Sequence, residues 1–199
     1  MGVLYLSTPN DAFETVYLNA RRKEHRVFTN SEVALLPEVA KSHPLYKEWQ
    51  LRKKSAARFI KYLKNQKRPL KILDIGCGNG WFSNLMSDVP NVEVTALDVN
   101  DHELNQADAV FQKPNLKFLY ADIFESQELR AQQFDVIVFN SCFQYFENAA
   151  AILDRAMELL GNDGEIHIID TPFYRLDQLS EARQRTQSYY EKLGFPEMA

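Results

Sequence analysis

Two cysteines, four histidines and seven glycines are all that 199 residues supply of those types. Each scarcity removes a class of chemistry. Cys77 and Cys142 lie far apart, with no Cys-x-x-Cys spacing and no histidine cluster beside them. Neither a disulfide framework nor a metal site is expected, and the two thiols suit a reducing cytoplasm. No apolar run approaches the ~20 residues of a membrane helix, and the stretch from Met1 to Ser7 lacks the basic segment and long apolar core of a signal peptide. We therefore expect a cytoplasmic protein without membrane contact. Repeats and low-complexity tracts are also missing. What is present is ordinary globular composition, 45% apolar and 25% charged, in a length suited to one domain with an appended part.

Charge is unevenly spread. Residues 1–70 hold 14 Lys and Arg against 6 Asp and Glu, whereas residues 71–199 hold 9 against 21. Much of the basic excess falls between Lys47 and Arg68. Trp49, Ala56, Phe59, Ile60 and Leu63 recur there at helical spacing, with Lys47, Lys54, Arg58 and Lys61 mostly opposite. This is the pattern of an amphipathic helix over 45–66 with a solvated basic face. A face for RNA or an acidic protein is the sharper alternative.

From Leu70 onward, short apolar runs alternate with helical stretches. Strands are expected at 70–75, 92–99, 116–121, 134–140 and 165–170. Helices are expected at 80–88, 101–112, near 126–132, at 147–160 and at 176–193. Asn100 or Asp101 caps the second of these helices, and Gly161 with the Asn-Asp-Gly turn closes the fourth. Such alternation means βαβ units, hence an α/β, Rossmann-like, doubly wound and mainly parallel sheet with helices on both faces. Residues 1–69 read as a helical N-terminal extension or lid, and 70–199 as the sheet domain.

The run Lys71-Ile-Leu-Asp-Ile-Gly-Cys-Gly-Asn-Gly80 puts three glycines at the end of the first strand. Glycines here let the backbone turn sharply and a ligand come close at the switch point of the sheet. A dinucleotide fingerprint would need a glycine where Trp81 stands, and a P-loop would need Gly-Lys-Ser/Thr. No basic residue in the loop meets a phosphate. Acidic residues instead close successive strands. Asp98 is spaced for both ribose hydroxyls, Asp122 for an adenine edge, and Asp74 for an ammonium. Together they describe a nucleoside with an amino-acid tail.

These residues resemble the motifs of the class I S-adenosylmethionine-dependent methyltransferases. Residues 73–80 are similar to the first motif of that family, followed in order by 96–100, 120–124, 134–146 and 159–170. The resemblance implies S-adenosylmethionine as cofactor, with S-adenosylhomocysteine as product. It implies that Gly76, Gly78 and the Cys77 backbone border the methionine part, that Asp98 holds the ribose, and that Val99 lies against the adenine. Asp122 and Ile123 would frame the adenine edge, and Asn140 and Ser141 would lie near the reacting methyl. The Asn/Asp-Pro-Pro-aromatic run typical of the base- and glutamine-amide N-methyltransferases of this fold is absent, since Asn140-Ser-Cys-Phe143 contains no proline. That points to a small-molecule acceptor. An RNA or protein methyltransferase docking through the basic helix, and a cofactor-binding module without catalysis, stand as alternatives.

No catalytic base is identifiable, and His25, His43, His102 and His167 all read as structural or solvated. Phe143, Tyr145, Phe146, Phe173 and Tyr174 are expected to crowd the ends of the last two strands as an apolar acceptor pocket. The family's final antiparallel hairpin has no room before Ala199. The strand at 165–170 is therefore expected at the sheet's edge, in a chain that continues beyond Ala199, with the edge covered by the C-terminal segment, paired in a dimer or prone to aggregation.

Overall fold

The computed structural model describes residues 2–9 and 11–198, the side chains of residues 11–13 excepted. Its strands are β1 (Leu4–Tyr5), β2 (Leu70–Ile75), β3 (Val92–Asp98), β4 (Leu116–Tyr120), β5 (Phe134–Asn140) and β6 (Leu160–Ile169). Its helices are α1 (Asp11–Lys23), α2 (Asn30–Val33), α3 (Tyr46–Asn65), α4 (Trp81–Ser87), α5 (Asp101–Val110), α6 (Gln127–Arg130), α7 (Ala149–Glu158) and α8 (Leu179–Leu193). Sheet order is β1-β4-β3-β2-β5-β6, and every pair is parallel. The expected doubly wound architecture is therefore present, with β6 as an end strand of the described sheet.

The central strands form because their residues are apolar on both sides, as a sheet covered on two faces requires. Leu73, Ile75, Leu97, Ile137 and Phe139 pack on one face with Leu129 of α6 and with Ile152 and Ala156 of α7. Asp74 and its alternate neighbours point to the other face, where α4 buries Phe82 and Met86. The amphipathic helix α3 lies on α4. Trp49 meets Trp81 edge-on at 5.3 Å, and Phe59 meets Phe82 at 5.7 Å. Lys47, Lys54, Arg58 and Lys61 remain exposed, as the helical pattern predicts.

Two features depart from the sequence reading. Leu4–Tyr5 is a strand, paired in parallel with Leu119–Tyr120, inside a segment read as helical. The Asn-Asp-Gly turn does not separate α7 from the last strand. Instead β6 begins at Leu160, and the ladder jumps from Phe134↔Leu160 to Val136↔Glu165. The extra residues form a bulge, the device that lets a strand absorb a local insertion.

The chain divides into two compact units. The first holds residues 29–171 together with the N-terminal strand, and it contains the whole sheet. The second is built around α1 and α8. Within it, Lys23 Nζ donates to the Leu193 carbonyl at 2.9 Å and the Tyr189 hydroxyl to Glu24 at 3.0 Å. Gly194 ends α8 in the left-handed region, φ 86°. Among the described residues, no helix is long and apolar enough to cross a membrane.

Candidate cofactor site

The loop after β2 owes its shape to glycine. Gly76 and Gly80 have φ of +69° and +73°, where a side chain is strained. Each also approaches a neighbour too closely for a Cβ. An atom added at Gly76 would lie 2.6 Å from Cys142 Cβ, and one at Gly80 would lie 2.7 Å from Phe118 and 2.9 Å from Ala107. Gly80 thus performs the close helix-to-strand packing that the dinucleotide fingerprint assigns to a glycine at the position of Trp81. The bulk of Trp81 is accommodated beneath Trp49 of α3.

Asp98, at the end of β3, fastens this loop. Its Oδ2 accepts the Gly78 N–H at 2.7 Å, and its Oδ1 accepts those of Val99 at 2.7 Å and Asn100 at 2.9 Å. These three bonds hold the loop after β2 and the turn after β3 on one carboxylate. Asp122 follows β4 and accepts the Phe124 N–H on Oδ1 at 2.8 Å. Gly76, Asp98, Val99, Asp122 and Ile123 line one cavity of about 400 Å³, as do Tyr145 and Phe146. Five of the ten site residues expected from the sequence therefore meet around one space.

The other five do not line that cavity. Cys77 and Gly78 continue the glycine loop. Asp74 sits under it, 1% exposed, with Oδ2 accepting the Ser83 hydroxyl at 2.5 Å. Burial, and then the charge of Asp98, push its carboxyl up to about 7 against the opposing Ser83 bond. Its Oδ1 is buried without a hydrogen-bond partner, as are Asn79 Oδ1 and Asn140 Oδ1. Asn140 and Ser141 end β5. Ser141 holds a left-handed φ of 58°, and its N–H donates to the Ile169 carbonyl at 2.9 Å.

Both thiols are pushed well above their ordinary range, by burial first and then by the Asp74 and Asp98 charges. Cys142 donates to the Ile75 carbonyl, so it packs against Gly76 as a neutral wall. His167 lies against Phe59 and Tyr62 at 4.9 and 5.1 Å and bonds Glu165, a structural setting. Phe143 is buried against Phe139 rather than facing an acceptor space, and Phe173 and Tyr174 belong to the second unit.

Two supporting residues escaped sequence reasoning. Ser83 holds Asp74 from α4. Arg155 of α7 is 5% exposed and donates to the carbonyls of Ile123 at 2.8 Å and Ser126 at 3.2 Å, fixing the loop after β4. An arginine inside the apolar run Ala-Ile-Leu-Asp-Arg-Ala-Met was the available signal for the latter.

Residues 66–198 match a family model described as a methyltransferase domain. Malonyl-[acyl-carrier protein] O-methyltransferase of Acetivibrio thermocellus is 32% identical over 127 residues, covering 63% of this chain and 44% of that protein. Release factor glutamine methyltransferase of Flavobacterium psychrophilum is 40% identical over 84 residues, 41% of this chain and 28% of that protein. The chain spans less than half the length of these curated relatives. Among solved structures, the plantazolicin methyltransferase BpumL in complex with SAH superposes with a TM-score of 0.58 at 23% identity. That likeness of fold covers 94% of this chain and 69% of the other.

Proposed function

Because the chain belongs to the class I S-adenosylmethionine-dependent methyltransferase family, we propose that it binds S-adenosylmethionine at the ends of β2, β3 and β4 and methylates a small molecule in the cytoplasm. One observation carries this reading. Buried oxygens of Asp74, Asn79 and Asn140 lack partners around a glycine loop, while two carboxylates close the next strands over a cavity. Buried polar atoms are normally hydrogen-bonded, so an orphaned set calls for donors from a ligand. An ammonium beside Asp74 would supply one such donor. Ribose hydroxyls on Asp98 and an adenine amino group on Asp122 would use the two carboxylates of the cavity, and none of these needs a phosphate site.

In this assignment Gly76, the Cys77 backbone and Gly78 border the amino-acid tail, and Val99 and Ile123 flank the adenine. Asn140 and Ser141 face the transferred group. The cofactor supplies an electrophilic sulfonium methyl. The chain's task is then to hold the acceptor in line and to exclude water. Apolar walls such as Phe146 serve exclusion, and a base is required only where the acceptor must lose a proton.

Removing Asp98 tests the assignment. Asp98→Ala should weaken S-adenosylhomocysteine binding by roughly 1.5–3 kcal/mol, the scale of hydrogen bonds to a charged group. Calorimetry with unchanged affinity in a folded variant would remove Asp98 from the site.

A further inference from the structure

The N-terminal strand continues past its two paired residues along the edge of β4. The Leu6 N–H donates to the Tyr120 carbonyl at 2.9 Å. One step further, the Asp122 N–H donates to Ser7 Oγ at 3.3 Å. A side-chain hydroxyl here replaces the backbone carbonyl that would continue the ladder, and it does so at the residue opening the adenine-edge turn. Asp122 is otherwise held from inside, its carbonyl accepting the N–H groups of Glu125 and Ser126 and its Oδ1 that of Phe124.

The same segment is fastened on its other side to α5, the helix that follows Asp98. The Tyr5 ring stacks on Tyr120 at 5.6 Å. Its hydroxyl donates to Asp101 Oδ1 and accepts from Asn105 Nδ2 at 3.1 Å. The Gly2 N–H reaches Asp108 at 3.1 Å. Leu6 packs on the core cluster that also receives Phe146, a wall of the cavity. Residues 2–7 thus tie the turn at Asp122 to α5, yet none of them is among the residues lining the cavity.

We propose that Ser7 is a positioning residue that fixes the Asp122–Ile123 turn, so that the site selects adenine over hypoxanthine; this rests on the cofactor assignment above. Adenine offers a donor at its exocyclic amino group and an acceptor at N1. Hypoxanthine reverses both, offering a carbonyl and an N–H. A turn held in one place presents the Asp122 carboxylate and the Ile123 N–H to the first pattern only. When the Ser7 hydroxyl is removed, the Asp122 N–H loses its partner and the turn can shift to suit either base.

Calorimetry with S-adenosylhomocysteine and S-inosylhomocysteine on the full chain tests this. Wild type should prefer the adenosine compound. Ser7→Ala should lose about tenfold in affinity for it, keep its affinity for the inosine compound, and so lose most of the preference. Ser7→Thr, which retains the hydroxyl, should behave as wild type. Equal losses for both compounds in Ser7→Ala would mark a merely structural contact and overturn the proposal, as would an unchanged preference. Wild type that binds neither compound would overturn the cofactor assignment itself, an outcome distinct from both.

Discussion

Asp74 carries a carboxyl far from its ordinary behaviour. Its unfolded carboxyl titrates near 4, whereas burial pushes the folded one up to about 7. Between those values the folded state holds a proton that the unfolded state has lost. This contribution to stability is therefore present below about pH 4 and is lost as pH rises to about 7, beyond which it is level. Asp74→Asn removes the titration. The stability of wild type relative to this variant, read from urea unfolding, should fall across that window; a pH-independent difference would count against the buried carboxyl. Gly80 shows the opposite kind of constraint, with no charge and no spare space. Gly80→Ala combines a left-handed backbone with contacts of 2.7–2.9 Å to Phe118 and Ala107. It should cost roughly 2–5 kcal/mol by denaturant unfolding. A loss below about 1 kcal/mol would show that the loop relaxes freely.

At the scale of elements, what could be read from the sequence follows from what stabilises each piece. Strands β2, β3, β4 and β5 were legible because a strand buried on both faces is a nearly continuous apolar run, independent of which neighbour it finds. Helix α3 was legible because its stripe repeats over 20 residues. Its packing makes a prediction. Trp49 is 4% exposed and set edge-on to Trp81, so Trp49→Ala should destabilise the sheet unit by about 3–5 kcal/mol in chemical denaturation. A neutral outcome would mean that α3 merely rests on the domain. Strand β1 was not legible, because Leu4 and Tyr5 are exposed and owe their extended form to the free edge of β4. The start of β6 was hidden for a related reason. Asn-Asp-Gly is turn chemistry wherever it occurs locally, and only the register with Phe134 makes it a bulge. In the site, the glycines and the aspartates at strand ends were legible because local spacing fixes them. Ser83, Arg155 and Ser7 were not, since each acts on a residue distant in sequence.

The whole molecule combines a basic N-terminal third, 14 Lys and Arg against 6 Asp and Glu in residues 1–70, with an acidic remainder, 9 against 21. The cations of α3 point to solvent while its apolar stripe supports α4. Asp98 and Asp122, at the ends of β3 and β4, line one cavity. The account's central claim is that this cavity is built for an adenosyl amino acid rather than for a dinucleotide. Its loop offers a buried carboxyl and orphaned oxygens where a pyrophosphate would require N–H donors or cations. The most direct measurement is calorimetric titration of the wild-type protein with S-adenosylhomocysteine and, separately, with NADH. Saturable one-to-one binding of S-adenosylhomocysteine with no comparable heat from NADH is the predicted result; tighter binding of NADH would contradict it.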